Sequence, residues 1–193
     1  MELRNVCKSY DNKTVLQNVN LQFNDNEIVA VVGQSGVGKT TLLNIIAGLT
    51  PYEGEIKGCD SISYMMQDDV FVENLSVLDN LRLFTRKTKE EVLSFLAILK
   101  LDSVANELPK KLSGGMQRRI SFLRALHFDA KVLLLDEPFK SLDVATQMEC
   151  VAYLKTFLQN NSRLCIIVSH NLDELAPLAP RVLHCVRATL LPR

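Results

Sequence analysis

A chain of 193 residues that is 47% hydrophobic can bury a substantial core, which excludes intrinsic disorder. Its 22 basic residues balance 22 acidic ones, so it lacks the cationic excess of a dedicated nucleic-acid binder, and no nucleic-acid partner is expected. Five scattered cysteines with no Cys-x-x-Cys pair read as reduced thiols, no apolar run approaches a membrane span, and Met1–Arg4 lacks an export-signal pattern.

The first segment, Glu2–Glu27, alternates around Val6, Val15, Leu16, Val19, Leu21 and Phe23, which predicts antiparallel strands. Ile28-Val29-Ala30-Val31-Val32 follows as a continuous apolar, β-branched run ending at Gly33. Two more runs of this kind are Val132-Leu133-Leu134-Leu135, ending at Asp136, and Cys165-Ile166-Ile167-Val168, ending at Ser169-His170. Such runs predict strands buried on both faces, as in a parallel sheet covered by helices. Helical patterns lie between them, over Thr41–Gly48 and Gln147–Leu158. The alternation predicts an α/β fold with ligands at the carboxyl ends of the strands. Leu75–Asn106 differs. Val92, Phe95, Leu96 and Leu99 recur at i, i+3, i+4 and i+7, an amphipathic helix within a helical lobe inserted into the α/β body.

Gly33-Gln34-Ser35-Gly36-Val37-Gly38-Lys39-Thr40 fits the pattern G-x-x-x-x-G-K-[ST]. Its glycines let backbone N–H groups converge on phosphate oxygens, and the helix that follows adds its N-terminal partial positive charge. Lys39 is placed to reach the β- and γ-phosphates, and the Thr40 hydroxyl to ligate Mg2+. The strand before and the helix after supply the context this motif requires, so an ATP site is expected here. Asp136-Glu137, ending the second buried run, offers one carboxylate for the Mg2+ shell and one to polarise an attacking water. Taken alone, that acidic pair reads better as an exposed turn after a strand; paired with the phosphate loop, the Mg2+ and water reading prevails.

Leu112-Ser113-Gly114-Gly115-Met116-Gln117-Arg118-Arg119 resembles the signature of ATP-binding-cassette ATPases and lies ahead of Asp136-Glu137 as in that family. Further matches fall in order over nearly the whole chain. Gln67 in Met65-Met66-Gln67-Asp68 resembles the glutamine loop, Ser141-Leu142-Asp143 the aspartate loop, and His170 in Val168-Ser169-His170 the switch histidine. Tyr10 stands at the position of the aromatic that stacks on adenine. The resemblance implies a P-loop α/β fold with an N-terminal antiparallel β subdomain. Residues 1–74 and 121–193 would form the body and 75–120 the helical lobe bearing the signature.

It also implies roles. Gly33 through Thr41 would cradle the phosphates of ATP. Thr40, Gln67 and Asp136 would attend Mg2+, and Glu137, His170 and Lys39 would carry the chemistry. Ser113 and Gly115 would contact the γ-phosphate held by an opposing cassette, and Gly114 and Asp143 would belong to the nucleotide-binding set. A chain with one phosphate loop and one signature is thus expected to form a homodimer closed by ATP. The segment Asp68–Leu83 would receive multispanning membrane permease subunits, which puts the chain at the inner face of the cell membrane. Glu137-Pro138-Phe139 and Asn74–Leu81 resemble bacterial importer cassettes of the nitrate, sulfonate and taurine type, systems that also use an extracytoplasmic solute-binding protein. The alternative is a soluble cassette ATPase acting on ribosomes or DNA. Two departures stand out: a short interval between Lys39 and Gln67, and Pro180 where the family carries an aspartate.

Overall fold

The computed structural model describes residues 1–11, 13–186 and 189–192. Strands β1 (Glu2–Tyr10), β2 (Lys13–Gln22) and β4 (Glu53–Lys57) form an antiparallel sheet in the order β2-β1-β4. Leu3 pairs with Leu21 and Val6 with Val19, with register shifts between these pairs. The shifts coincide with the left-handed backbone of Asn5 and Asn18, a conformation that asparagine tolerates better than most side chains. Leu3, Val6, Leu16 and Val19 are buried, so this sheet has one core face and one polar face, as the alternating sequence predicts.

The second sheet contains β3 (Ile28–Val32), β5 (Ile62–Met65), β6 (Val132–Asp136), β7 (Leu164–Ser169), β8 (Arg181–Val186) and β9 (Thr189–Pro192), in the order β5-β6-β7-β3-β8-β9. The first five run parallel, and β9 is antiparallel at the edge. The period of two divides each apolar run between two cores. Val29, Val31, Val132, Leu134, Ile166 and Val168 pack with Leu42, Leu43, Ile45 and Ile46 and with the core face of the antiparallel sheet. Ala30, Val32, Leu133, Leu135, Cys165 and Ile167 meet the remaining helices. Burial on both faces is why these strands lack polar alternation.

Helix α1 (Lys39–Ile46) starts two residues earlier than the sequence pattern suggests, directly on Gly38. Helices α2 (Val77–Thr85) and α3 (Lys89–Ile98) have Ser76 and Thr88 as N-caps, the latter in a capping box with Glu91. Val92, Phe95 and Leu96 are buried as the periodicity requires. Helix α4 (Gly114–His127) is capped by Ser113. Helix α5 (Val144–Asn160) begins three residues before the expected start, because the Asp143 carboxylate accepts from the Thr146 N–H at 3.0 Å and fixes the first turn. The sequence pattern gives no warning of β4, β5, β8 or β9. Glu53–Lys57 is largely exposed, with charges at three of its five positions, and its pairing is set by β1. Among the described residues no helix is long and apolar enough to cross a membrane.

Candidate functional site

The carboxyl ends of β3, β6 and β7 converge on a cleft of about 430 Å³ lined by Ser35, Gly36, Gly38, Lys39, Thr40, Thr41, Gln67, Asp136, Glu137, Lys140, Val168 and His170. Such a position, outside the strand ends, is where open α/β sheets bind ligands. The loop between β3 and α1 is held by close approach. A Cβ on Gly38, at φ 116°, would lie 2.9 Å from the carbonyl of Val15, and one on Gly33 would lie 2.5 Å from the carbonyl of Cys185. Lys39 is only 7% exposed, and its ammonium folds back to donate to the carbonyls of Gly33 (2.8 Å) and Gln34 (3.0 Å). It is therefore confined over the loop, where phosphate oxygens would replace those carbonyls.

Asp136 is fully buried at the end of β6. The Tyr64 hydroxyl approaches its Oδ2 at 3.5 Å, while Oδ1 has no hydrogen-bond partner among the described residues. Burial pushes its pKa up; the Thr40 hydroxyl, Arg118 and Lys39 pull it down, and adjacent Glu137 pushes it up. An unpartnered buried carboxylate oxygen beside the Thr40 hydroxyl suits a hydrated Mg2+.

Glu137 takes the left-handed conformation, φ 49°, which costs a non-glycine residue about 1 kcal/mol or more. Its N–H donates to the Val168 carbonyl at 2.9 Å, which ties it to β7. Its Oε2 meets His170 Nδ1 at 2.8 Å. The histidine is set in turn by Ser169, whose fully buried hydroxyl accepts from the Asn171 N–H at 2.9 Å and bonds to Glu174. His170 itself remains exposed.

Other expected site residues lie elsewhere. Gly33, Gln34 and Val37 line a neighbouring cavity of about 830 Å³ with Lys13, Thr14 and His184 among others. Tyr10 is exposed and lines neither cavity, and the Lys8 ammonium sits 4.6 Å from its ring centroid. Ser113 and Gly114 are exposed at the start of α4, outside the cleft. A Cβ on Gly115 would lie 3.6 Å from Leu142, so the signature abuts the aspartate loop of its own chain. Asp143 is exposed, its carboxyl held below the usual range by the Thr146 hydroxyl and N–H.

Sequence reasoning left Arg118 and Lys140 without roles. Lys140 lines the cleft, and Arg118 is buried behind it, between Gln67 and Glu137. The only sequence signal for Arg118 was a cation at an otherwise buried position of α4.

The ABC transporter family profile matches residues 16–140. The aliphatic sulfonates import ATP-binding protein SsuB 1 of Rhodococcus jostii is 36% identical over 95% of this chain and 78% of its own length. The sulfate/thiosulfate import ATP-binding protein CysA of Pseudomonas putida is 35% identical over 94% of this chain, which spans only 62% of that relative. Among solved structures, the post-hydrolysis dimer of the ATP-binding cassette MJ0796 bound to ADP and Pi superposes with a TM-score of 0.89 at 28% identity, covering 100% of this chain and 97% of that one. On the strength of the profile and these relatives, this chain belongs to the ABC transporter family.

Proposed function

We propose that this chain is the ATP-hydrolysing subunit of an importer and that it works as a homodimer of cassettes closed by ATP. The observation that carries the catalytic reading is the Glu137–His170 pair, 2.8 Å apart, at a cleft that also holds Lys39 and the buried carboxylate of Asp136. In this reading Gly33–Thr41 wraps the phosphates with backbone N–H groups, and Lys39 leaves the loop carbonyls for the β- and γ-phosphates. Thr40, Asp136 and Gln67 would hold Mg2+, whose contribution when bound is to neutralise charge on the phosphate oxygens. Glu137 accepts a hydrogen bond from the attacking water and draws its proton. His170 donates its Nδ1–H to that carboxylate and orients it; a second bond from Nε2 towards the transferred phosphoryl group forms in the imidazolium form, in which both ring nitrogens donate. Tyr10 stacks on the adenine, which requires the Lys8 ammonium to yield one ring face.

The exposed positions of Ser113, Gly114 and Asp143, outside their own cleft, support a second copy as the other wall of each site. The N-terminus of α4 would then face the γ-phosphate of that copy. A groove of about 340 Å³ on the other side of Gln67 supports the permease contact expected of Asp68–Leu83. It is lined by Met66, Val70, Phe71, Val72, Phe84 and Phe128 among others, and Val70 is 60% exposed. Fully buried Asn80 holds its rim, accepting from the Val72 N–H at 2.8 Å and donating to the carbonyls of Val72, Leu75 and Ser76. Import, and a location at the inner face of the cell membrane, follow the relatives named for sulfate, thiosulfate and sulfonate import. The solute would be chosen by the permease and an extracytoplasmic binding protein.

The test is Glu137→Gln. Turnover should fall by about 10²-fold or more while ATP affinity is kept, read as released phosphate against equilibrium binding. Turnover at the wild-type rate would remove Glu137 as the base.

A further inference from the structure

Arg118 lies on α4, five residues beyond Ser113, and is 4% exposed. Its Nη1 donates to the carbonyls of Met66 and Gln67, both at 3.0 Å, and meets the Asp69 carboxylate at 3.1 Å. Its Nη2 donates to the carbonyls of Asp136 and Glu137, both at 2.6 Å. Its Nε is buried without a partner among the described residues. One guanidinium thus spans the glutamine loop and the acidic end of β6, through four backbone carbonyls and the Asp69 carboxylate.

The geometry points to Arg118 as a positioning residue for ATP hydrolysis: by holding both carbonyl pairs at once it sets Glu137 and Gln67 in register and ties each to α4. This inference rests on the ATPase reading above. Three properties of the contact carry it. First, Glu137 is in a disfavoured backbone conformation, and its carbonyl is one of the two closest acceptors of Arg118. Second, the planar fork of arginine offers five N–H donors on three nitrogens and can serve two carbonyl pairs at once; lysine has one nitrogen, and a glutamine amide donates from one. Third, Asp69 lies between Asp68 and Val70, both of which line the apolar groove. A displacement of that segment therefore reaches the Glu137 carbonyl through a single side chain. The same residue fixes α4, whose first turn carries Ser113. Fully desolvated hydrogen bonds to a cation are among the stronger ones in a protein, so this joint moves as a unit.

The experiment compares wild type, Arg118→Gln, Arg118→Lys, Asp69→Asn and the core variant Leu123→Ala, using Mg-ATP for turnover, equilibrium ATP binding and melting temperature. We expect Arg118→Gln to lose about tenfold or more in kcat with KM and ATP affinity changed by less than about threefold. Arg118→Lys and Asp69→Asn should fall between it and wild type. Leu123→Ala, on the same helix, should lower the melting temperature without splitting kcat from KM. If Arg118→Gln does not fold, the same kcat-specific loss in Asp69→Asn and Arg118→Lys carries the test. Wild-type kcat in Asp69→Asn and in every folded Arg118 variant overturns the inference. So does a loss in which kcat and affinity fall together in proportion to melting temperature, as in Leu123→Ala. Absence of turnover in the wild-type chain would instead contradict the proposed function itself.

Discussion

The two faces of the nucleotide machinery differ in how far one chain completes them. The cleft face is fixed from within: Lys39 is buried over its loop, Asp136 is sealed at a strand end, and Glu137 and His170 are already in contact. The face bearing Ser113, Gly114 and Asp143 is exposed, and among the described residues its side chains serve local caps, Ser113 accepting from the Met116 N–H and Asp143 from the Thr146 N–H and hydroxyl. Groups that must act on a ligand bound in their own chain can be held by buried hydrogen bonds. Groups that must act on a ligand held by another copy have to stay at the surface until that copy arrives. The contrast is what the proposed homodimer requires, a well-folded chain that presents one part of the site in its cleft and the other at its surface.

The largest effect that would sharpen this contrast is at Lys39. Removing the ammonium in Lys39→Ala takes away charge-assisted bonds to phosphate, so ATP affinity should fall by roughly tenfold to a hundredfold. Titration of a single chain below the concentration at which copies pair reads this directly. Unchanged affinity would mean that the loop binds phosphate by backbone alone.

A smaller effect concerns pH. The folded pKa of Asp136 is raised, chiefly by burial, so this carboxyl takes up its proton at a higher pH than an ordinary aspartate. Its ionised form is the one that suits Mg2+. The Mg2+-dependent part of ATP binding should therefore fade as pH falls through that raised value, and Asp136→Asn should show no such step. In the absence of nucleotide and Mg2+ the sign reverses. A carboxyl with a raised folded pKa contributes stability below its unfolded pKa, near 3.9, and that contribution is lost as pH rises through the folded value. Mg2+ with ATP should recover it, which a melting curve against pH can follow. Loss of the Mg2+ effect only at the pKa of an ordinary aspartate would contradict the burial argument.

Much of the cleft was legible in the sequence because its chemistry is written in contiguous runs. The run Gly33–Thr40 sits between a buried strand and a helix, and Asp136-Glu137 ends another such strand. The three apolar runs announced strands covered on both sides, and the structure places them at the centre of the parallel sheet. What escaped depends on distant partners. β4 is drawn to β1 by pairing that its own charged sequence does not advertise, and a Cβ at Gly54 would lie 2.5 Å from the carbonyl of Asn5. The start of α5 depends on a cap by Asp143, whose carboxylate accepts from the Thr146 N–H ahead of the first apolar residues of the helical stripe. Arg118 has no legible role in the sequence, since its acceptors are mostly backbone carbonyls 18 to 52 residues away. No side-chain pattern encodes a carbonyl.

The central claim, that each site is finished by a second copy, is tested most directly by the mass of Glu137→Gln in solution. In saturating Mg-ATP it should sediment at twice the mass of the single chain. Without nucleotide, or with Ser113→Arg added, it should return to one. A single-chain mass at saturating Mg-ATP, both alone and with membrane partners present, would contradict the account.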